Sequence, residues 1–227
     1  MEVLNGMRHT AIHNPADYAQ KRVALIGVGT IGSWLAHILA RMQVNMDMYD
    51  HDTVEEHNLA TQTYGAADIG KLKVDAVKEQ LDAILPGNEH HAIGHEFGIT
   101  KDMPAHDIIV SAVDSLQARK EIAQMLIDNN IETPIVDGRV GREQVEVYYF
   151  DNATAWLEQL PEEGDTDPCG ARFTAYAAVE AAGLMANNIK RIFGAQEIHG
   201  TRIIFDNASM TFLNIKPKKE VPAELTA

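Results

Sequence analysis

The glycine-rich segment GVGTIG constrains the fold of this chain most, because it joins an apolar β-rich run to an amphipathic helical pattern. Its glycines, Gly27, Gly29 and Gly32, permit a tight turn, and the N-terminus of the following helix presents free N–H groups to a phosphate. Residues 22–28 predict the strand, and apolar residues at helical spacing over 31–42 predict the helix. The segment therefore predicts a nucleotide site in a βαβ unit, rather than a glycine-rich turn without a ligand.

The predicted second strand, residues 45–50, ends in a carboxylate. Asp50 lies 18 positions after Gly32, where an acidic side chain accepts hydrogen bonds from a ribose. The same carboxylate could instead cap a turn. The glycines and Asp50 do not by themselves distinguish NAD from ATP.

Strands and helices alternate along the first 150 residues. After the first βαβ unit, the patterns predict helices over 74–85 and 115–130, and strands over 91–97, 107–113, 133–140 and 144–150. This alternation is typical of an α/β, Rossmann-like fold with a mainly parallel sheet and helices on both faces.

The alternation of strands and helices ends after the strand predicted over 144–150. We expect a polar, crossover-like loop over 152–170, an Ala-rich helix over about 173–193, and a C-terminal β-hairpin from TRIIFD and MTFLNI. The length suits a single domain over 1–227, with an N-terminal arm over 1–20 and a polar tail over 216–227.

Composition narrows the classes of partner. No apolar run reaches the roughly 18 residues that suggest a membrane span. The N-terminus resembles neither a signal peptide nor a basic targeting helix, so we expect a cytoplasmic protein without a membrane partner. The net charge of −14 argues against a nucleic-acid partner, since phosphate backbones bind clustered Lys and Arg.

Metal-binding residue types are sparse. A single cysteine, Cys169, excludes an internal disulfide and a four-cysteine zinc site, so zinc is not expected. The histidines His90, His91 and His95 fall on a predicted strand without an acid at fixed geometry. We interpret them as a solvated strand face rather than as metal ligands.

Several separated segments carry a family resemblance. YDHDTVEEHNLATQ, DIGKLK and SAVDSLQAR resemble signature segments of the ThiF/MoeB adenylyltransferases, which are relatives of ubiquitin-activating enzymes. The likeness continues through DPCGARFTAYAAVEAAGLMANNIKRI and GTRIIFDNASMTFLNI, and so covers nearly the whole chain. The resemblance implies that ATP and Mg²⁺ adenylate a carboxylate, typically the C-terminal glycine of a ubiquitin-like or sulfur-carrier protein, and that the enzyme is a homodimer.

The residues in these segments suit that chemistry. Attack of a carboxylate on the α-phosphate brings anions together, so cations, amide donors and a metal must hold the triphosphate. Lys73 places a point charge on the phosphates, and Asn58 and Gln62 donate neutral hydrogen bonds. Asp114, at the end of a predicted strand, is the candidate Mg²⁺ ligand. Alternatively, Lys73 is a solvated lysine and Asp114 is a helix N-cap.

The chain departs from the family at two positions. Thr30 stands in the glycine loop where glycine is frequent, and Thr61 replaces the arginine of the family's N-L-x-R-Q segment. An arginine from elsewhere would then supply the missing positive charge. The candidates are Arg8, Arg119, Arg139 and Arg142. We favour Arg8, because relatives use an N-terminal arginine from the partner subunit.

Cys169 matches a cysteine that sulfur-transferring relatives carry just before their final helix. If that helix begins near Ala171, its N-terminal N–H groups favour the thiolate and a covalent or sulfur-relay role. A packed, unreactive thiol is the alternative, since adenylation itself requires no cysteine.

Three other functions are weighed against the adenylyltransferase. A dehydratase of the same superfamily acting on a tRNA carboxylate conflicts with the acidic composition. A nucleotide-binding scaffold that has lost catalysis is consistent with Thr61. An NAD dehydrogenase does not account for NLATQ together with DIGKLK.

Overall fold

The structure is a computed structural model, and its described residues share one mixed β-sheet. The described residues are 15–18, 20–85, 89–98, 105–161, 174–196, 198 and 202–215. Apolar and β-branched runs form strands β1 (Arg22–Ile26), β2 (Asn45–Tyr49), β3 (His90–Ile93), β4 (Ile108–Ser111), β5 (Ile135–Gly141), β6 (Gln144–Phe150), β7 (Arg202–Asp206) and β8 (Thr211–Ile215).

Five α-helices accompany these strands within the described residues. They are α1 (Thr30–Arg41), α2 (Lys73–Ile84), α3 (Leu116–Asp128), α4 (Ala153–Glu158) and α5 (Ala175–Phe193). None of the helices in the described parts is long and apolar enough to cross a bilayer.

The sheet has the order β3-β2-β1-β4-β5-β6-β7-β8. Strands β1 to β5 pair in parallel, while β5 to β8 pair antiparallel. Short turns join β5 to β6 and β7 to β8, whereas α4 and α5 lie between β6 and β7. The prediction of a Rossmann-like fold with a mainly parallel sheet and a C-terminal β-hairpin is confirmed. Because the chain runs from β1 outward to β3 and then returns to β4 on the other side, a topological switch point lies between β1 and β4.

Helices cover both faces of the sheet, as the alternation predicts. In β1, Val23 and Leu25 face a core that includes α1, α2 and α5, while Ala24 and Ile26 face a core that includes α3 and α4. Helix α5 packs on α1 and on the antiparallel strands through small buried residues, so its low side-chain volume brings helix and sheet close together.

Helix α4 contradicts one expectation. A polar loop was predicted from residue 152, but Asn152 caps a short helix by accepting a hydrogen bond from the Ala155 N–H at 3.0 Å. The helix buries Trp156 completely against the sheet. Burial of a large aromatic side chain stabilises this helix, and its local sequence pattern is too short to reveal it.

A buried ion network fastens α3 and α4 to β5. Asp137, fully buried, accepts hydrogen bonds from Arg119 at 3.0 Å, from Arg139 at 2.8 Å and from the Trp156 indole at 3.3 Å. Burial by itself raises the pKa of the Asp137 carboxyl, but the charges of the two arginines outweigh it and lower the pKa. The resulting stability is present above about pH 4 and is lost as pH falls through the lowered pKa.

Replacing Asp137 tests this network. Asp137→Asn removes the buried charge that both guanidinium groups contact, and we expect it to lower the free energy of unfolding by about 3–5 kcal/mol. Asp82→Asn is the matched control, because Asp82 pairs with Lys78 on the surface of α2, where such a pair contributes about 0.5 kcal/mol or less. Urea denaturation measures both, and equal losses would contradict the assignment.

Candidate functional site

A cavity of about 890 Å³ opens at the carboxyl ends of the parallel strands. Its walls come from the glycine turn after β1, the segments after β2 and β4, and the first turns of α3. This is the edge of the sheet, beside the switch point, where open α/β folds bind ligands. Seven predicted site residues line it: Gly27, Gly29, Asp50, Asn58, Gln62, Lys73 and Asp114.

The three glycines of the turn have different physical roles. Gly27 adopts φ +87°, and a Cβ there would lie 2.8 Å from the Ala112 carbonyl oxygen. A Cβ on Gly32 would lie 1.9 Å from the Gly27 carbonyl oxygen, so Gly32 allows β1 and α1 to pack closely. Gly29 has nothing within 4 Å of its Cβ position and faces the cavity, as does its neighbour Thr30. The open space beside Gly29 lets a ligand approach the backbone.

Asp50 holds the glycine turn in place as well as lining the cavity. Its carboxylate accepts hydrogen bonds from the Val28 N–H at 2.9 Å and from the Asp52 N–H at 2.9 Å. The turn-capping interpretation therefore describes part of its role. An ionised carboxylate accepts further hydrogen bonds beyond these two, so its position also suits a ribose hydroxyl.

Tyr64 is a positioning residue that sequence reasoning missed. Its buried hydroxyl donates a hydrogen bond to the Val28 carbonyl at 2.6 Å. Burial, followed by the negative charges of Asp50, Asp68 and Asp52, raises the pKa of Tyr64, so the hydroxyl remains protonated as a donor. The only signal in the sequence is an aromatic residue shortly after the NLATQ segment, and this signal does not indicate which group the side chain would hydrogen-bond.

Asn58 and Gln62 extend from a short 3₁₀ helix, Glu56–Ala60, and the turn that follows it. The Asn58 Oδ1 accepts a hydrogen bond from the Glu55 N–H at 2.8 Å, which leaves its amide N–H₂ group as the donor side. The Gln62 Oε1 is buried and has no hydrogen-bond partner among the described residues. Both amides thus have unused hydrogen-bonding capacity beside the cavity.

Lys73 is a buried, ion-paired lysine rather than a solvated one. Its side chain is 9% exposed, and the ammonium donates a hydrogen bond to Asp52 Oδ2 at 2.7 Å. That hydrogen bond lowers the pKa of Asp52. A bridge between Thr53 and Leu72 joins the two segments, so the backbone holds the pair together. Asp52 was not predicted, although it stands two residues after Asp50.

Asp114 faces the cavity with its carboxylate free. No hydrogen bond or ion pair with another described residue involves this side chain, which is exposed. The N-cap of α3 is Ser115, whose Oγ accepts a hydrogen bond from the Ala118 N–H at 3.0 Å. The alternative interpretation of Asp114 as the helix cap is therefore wrong, and its carboxylate is available to a ligand or metal.

The three candidate arginines that the structure describes lie outside the cavity lining. Arg119 and Arg139 are buried around Asp137, and Arg142 lies in the β5–β6 turn outside the cavity lining. Lys73 is the only lysine or arginine among the described residues that line the cavity. Arg8 and Cys169 lie outside the described residues.

The histidines of β3 differ from one another, which corrects the interpretation of a solvated strand face. His90 is 2% exposed, neither of its ring nitrogens has a hydrogen-bond partner within the described chain, and burial lowers its pKa to about 4. His91 remains half-exposed and contacts the buried Asp47 at 2.7 Å. No group of three or more His, Cys, Asp or Glu in the described ranges is arranged to hold a metal by itself.

Comparisons with known proteins point to one family. The profile of the ThiF family matches residues 13–225. Cap2 of Escherichia coli (strain TW11681), an ATP-dependent ubiquitin transferase-like protein, is 29% identical over 126 residues, which are 52% of this chain and 21% of that protein. A probable molybdopterin-synthase adenylyltransferase of Gracilaria tenuistipitata var. liui is 30% identical over 127 residues, which are 52% of this chain and 36% of that protein. The chain thus spans about a fifth to a third of the length of these curated relatives.

Solved structures share the fold. The crystal structure of PaaA superposes with a TM-score of 0.71 at 20% identity, over 89% of this chain and 65% of that chain. The crystal structure of Escherichia coli MccB with ATP superposes with a TM-score of 0.70 at 17% identity, over 90% of this chain and 67% of that chain. At these identities the similarity concerns the fold.

Two glycine substitutions separate structural from ligand-binding roles in the turn. Gly32→Ala places a methyl group against the Gly27 carbonyl, and we expect a marked drop in melting temperature because backbone must shift. Gly29→Ala adds its methyl group to open space, so we expect a much smaller drop together with weaker nucleotide binding. Thermal denaturation and calorimetric titration with ATP measure the two effects. Equal destabilisation by both substitutions would contradict the division.

Proposed function

Because the chain belongs to the ThiF family, we propose that it is an ATP-dependent adenylyltransferase that uses Mg²⁺ to activate a carboxylate. The observation that carries this proposal is the convergence of the glycine turn, Lys73 and the free carboxylate of Asp114 on one cavity. A dinucleotide site would need the glycine turn and Asp50 but has no use for an unpaired carboxylate opposite a buried lysine.

Each group of cavity residues is proposed to contact a different part of the nucleotide. The glycine turn and the N-terminus of α1 receive phosphate oxygens, and Asp50 accepts a hydrogen bond from the ribose. Lys73 stabilises negative charge that develops on the α-phosphate when the acceptor carboxylate attacks it and pyrophosphate leaves. Asn58 and Gln62 orient the triphosphate with neutral hydrogen bonds.

The donor set fits Mg²⁺. This ion binds one or two carboxylates and completes its shell with phosphate oxygens and water, and Asp114 offers an unpaired carboxylate on the cavity wall. Bound there, Mg²⁺ would neutralise charge on the triphosphate. Asp114 would hold it, while Lys73 acts from the first residue of α2.

The proposed acceptor is the C-terminal glycine of a ubiquitin-like or sulfur-carrier protein. The names of two relatives, a ubiquitin transferase-like protein and a molybdopterin-synthase adenylyltransferase, support this class. Escherichia coli MccB has been crystallised with MccA, so a protein of the same fold binds a different partner. We keep a tRNA-carboxylate dehydratase and a catalytically inactive scaffold as the alternatives.

Two further assignments belong to this proposal. Arg8 is proposed to reach the triphosphate of a partner subunit in a homodimer. Cys169 is proposed to form a covalent or sulfur-relay intermediate after adenylation, with a packed thiol as the alternative.

Carboxylate-dependent exchange of pyrophosphate into ATP tests the proposed activity. We expect Asp114→Ala to abolish exchange, and Lys73→Ala to cost about 2–4 kcal/mol of transition-state stabilisation because one preorganised donor is lost. Asp128→Ala on α3 and Lys78→Ala on α2 are matched controls that lie outside the cavity lining. Unchanged exchange in Asp114→Ala would remove the metal assignment. Tight calorimetric binding of NAD without ATP binding would remove the adenylation proposal.

Mixing inactive chains tests the Arg8 assignment. An Arg8→Ala chain and an Asp114→Ala chain each lack one component, but one site of their heterodimer keeps Asp114 and receives Arg8 from the partner. We expect each variant to lose exchange activity alone and the mixture to recover part of it. Full activity of Arg8→Ala alone would refute the assignment.

A further inference from the structure

The described cavity lining has more negative than positive side chains, and a bound nucleotide would add further negative charge. Among the described residues, five carboxylates line it and Lys73 is the only permanent cation. The carboxylates belong to Asp50, Asp52, Glu96, Asp114 and Glu121. The charge of Lys73 is already compensated by Asp52 at 2.7 Å. A polyphosphate therefore needs additional positive charge from the cavity wall, beyond any metal held by Asp114.

Histidine is the remaining side chain on this wall that can become positive. His51 and His57 both line the cavity. His51 lies between two carboxylates, with its ring nitrogens 3.6 Å from Asp52 and 4.0 Å from Glu96. A phosphate beside His51 would therefore also approach these two carboxylates, which repel it.

His57 is placed differently. It belongs to the short 3₁₀ helix that also carries Asn58, and it precedes Thr61 by four residues, with all three lining the cavity. Its side chain is 74% exposed, so it can turn toward a ligand without disturbing the core. Its nearest acid is Glu55, whose carboxylate lies 3.3 Å from the His57 ring.

We propose that His57, in its protonated form, binds the polyphosphate of the nucleotide and supplies positive charge beside Thr61 from within this chain, in addition to the Arg8 proposed from a partner subunit. This inference rests on the proposed function and adds a residue to the same site. The imidazolium donates a charge-assisted hydrogen bond to a phosphate oxygen. No covalent bond forms or breaks, and the proton stays shared between the imidazolium and the phosphate oxygen.

Protonation makes this contribution depend on pH. An imidazole is positive only when protonated, and histidine changes charge near neutral pH. Glu55 lies beside His57 at the start of its own helix, and Lys73, His51 and the five cavity carboxylates line the same cavity. Because the protonated form binds phosphate better, nucleotide binding favours proton uptake, and affinity falls as pH rises.

Calorimetric titration with ATP and Mg²⁺ at about pH 6 and about pH 8.5 tests the proposal. We expect His57→Ala to weaken ATP binding by about tenfold at the lower pH and to reduce the pH dependence. His57→Arg should bind ATP with wild-type strength at low pH and keep that strength at high pH. The double variant His57→Ala, Thr61→Arg should do the same, because it restores the charge at the neighbouring position.

Three comparisons isolate the histidine. The phosphate of ATP titrates similarly with every variant, so the difference between wild type and His57→Ala reports on the protein. Adenosine, which lacks phosphate, should bind wild type and His57→Ala equally. His51→Ala should reduce the pH dependence of ATP binding less than His57→Ala does.

The outcomes separate this inference from the proposed function. ATP binding by His57→Ala with the affinity and pH dependence of the wild type would overturn the role of His57 and leave the adenylyltransferase proposal standing. Failure of the correctly folded wild type to bind ATP would overturn both. Equal loss of adenosine and ATP binding would show that His57 supports the cavity rather than the phosphate, and would also overturn the inference.

Discussion

The close contact between the backbone of Gly27 and Gly32 determines the shape of the site. Without a side chain on Gly32, α1 begins directly over the end of β1 and directs its free N–H groups into the cavity. Asp50 and Tyr64 then hold the peptide groups of Val28 from two sides, one through its N–H and the other through its carbonyl. These contacts fix the glycine turn as one wall of the cavity.

Charge is distributed unevenly around that turn. Two arginines considered for phosphate binding, Arg119 and Arg139, are instead ion-paired with Asp137 inside the α3/α4 face. Buried guanidinium groups need a counter-charge, so they stabilise the packing of helices on β5 and cannot also serve an open cavity. The cavity is left acidic, which makes a metal, a protonated histidine or a residue of a partner subunit the physical means of holding a polyphosphate.

Much of the fold followed from periodicity alone. The alternation of apolar positions located β1 to β6 and α1 to α3, because burial on two faces imposes a regular pattern on residues 22–150. The expected Ala-rich helix and C-terminal hairpin correspond to α5, β7 and β8. Helix α4 and the burial of His90 escaped this reasoning. Both depend on which distant part of the chain covers a short segment. Helix α4 has only six residues, which are too few to show a helical period in the sequence.

The sequence by itself determined the βαβ start, the glycine turn, and seven of the residues on the cavity wall. Chain order made this possible, because residues that follow parallel strands must meet at one edge of the sheet. Only the tertiary structure decided which of these residues are free. Lys73 is paired with Asp52, Asp114 is unpaired, and the arginines are engaged elsewhere. Those outcomes depend on distances between segments far apart in the chain, and no local pattern encodes such distances.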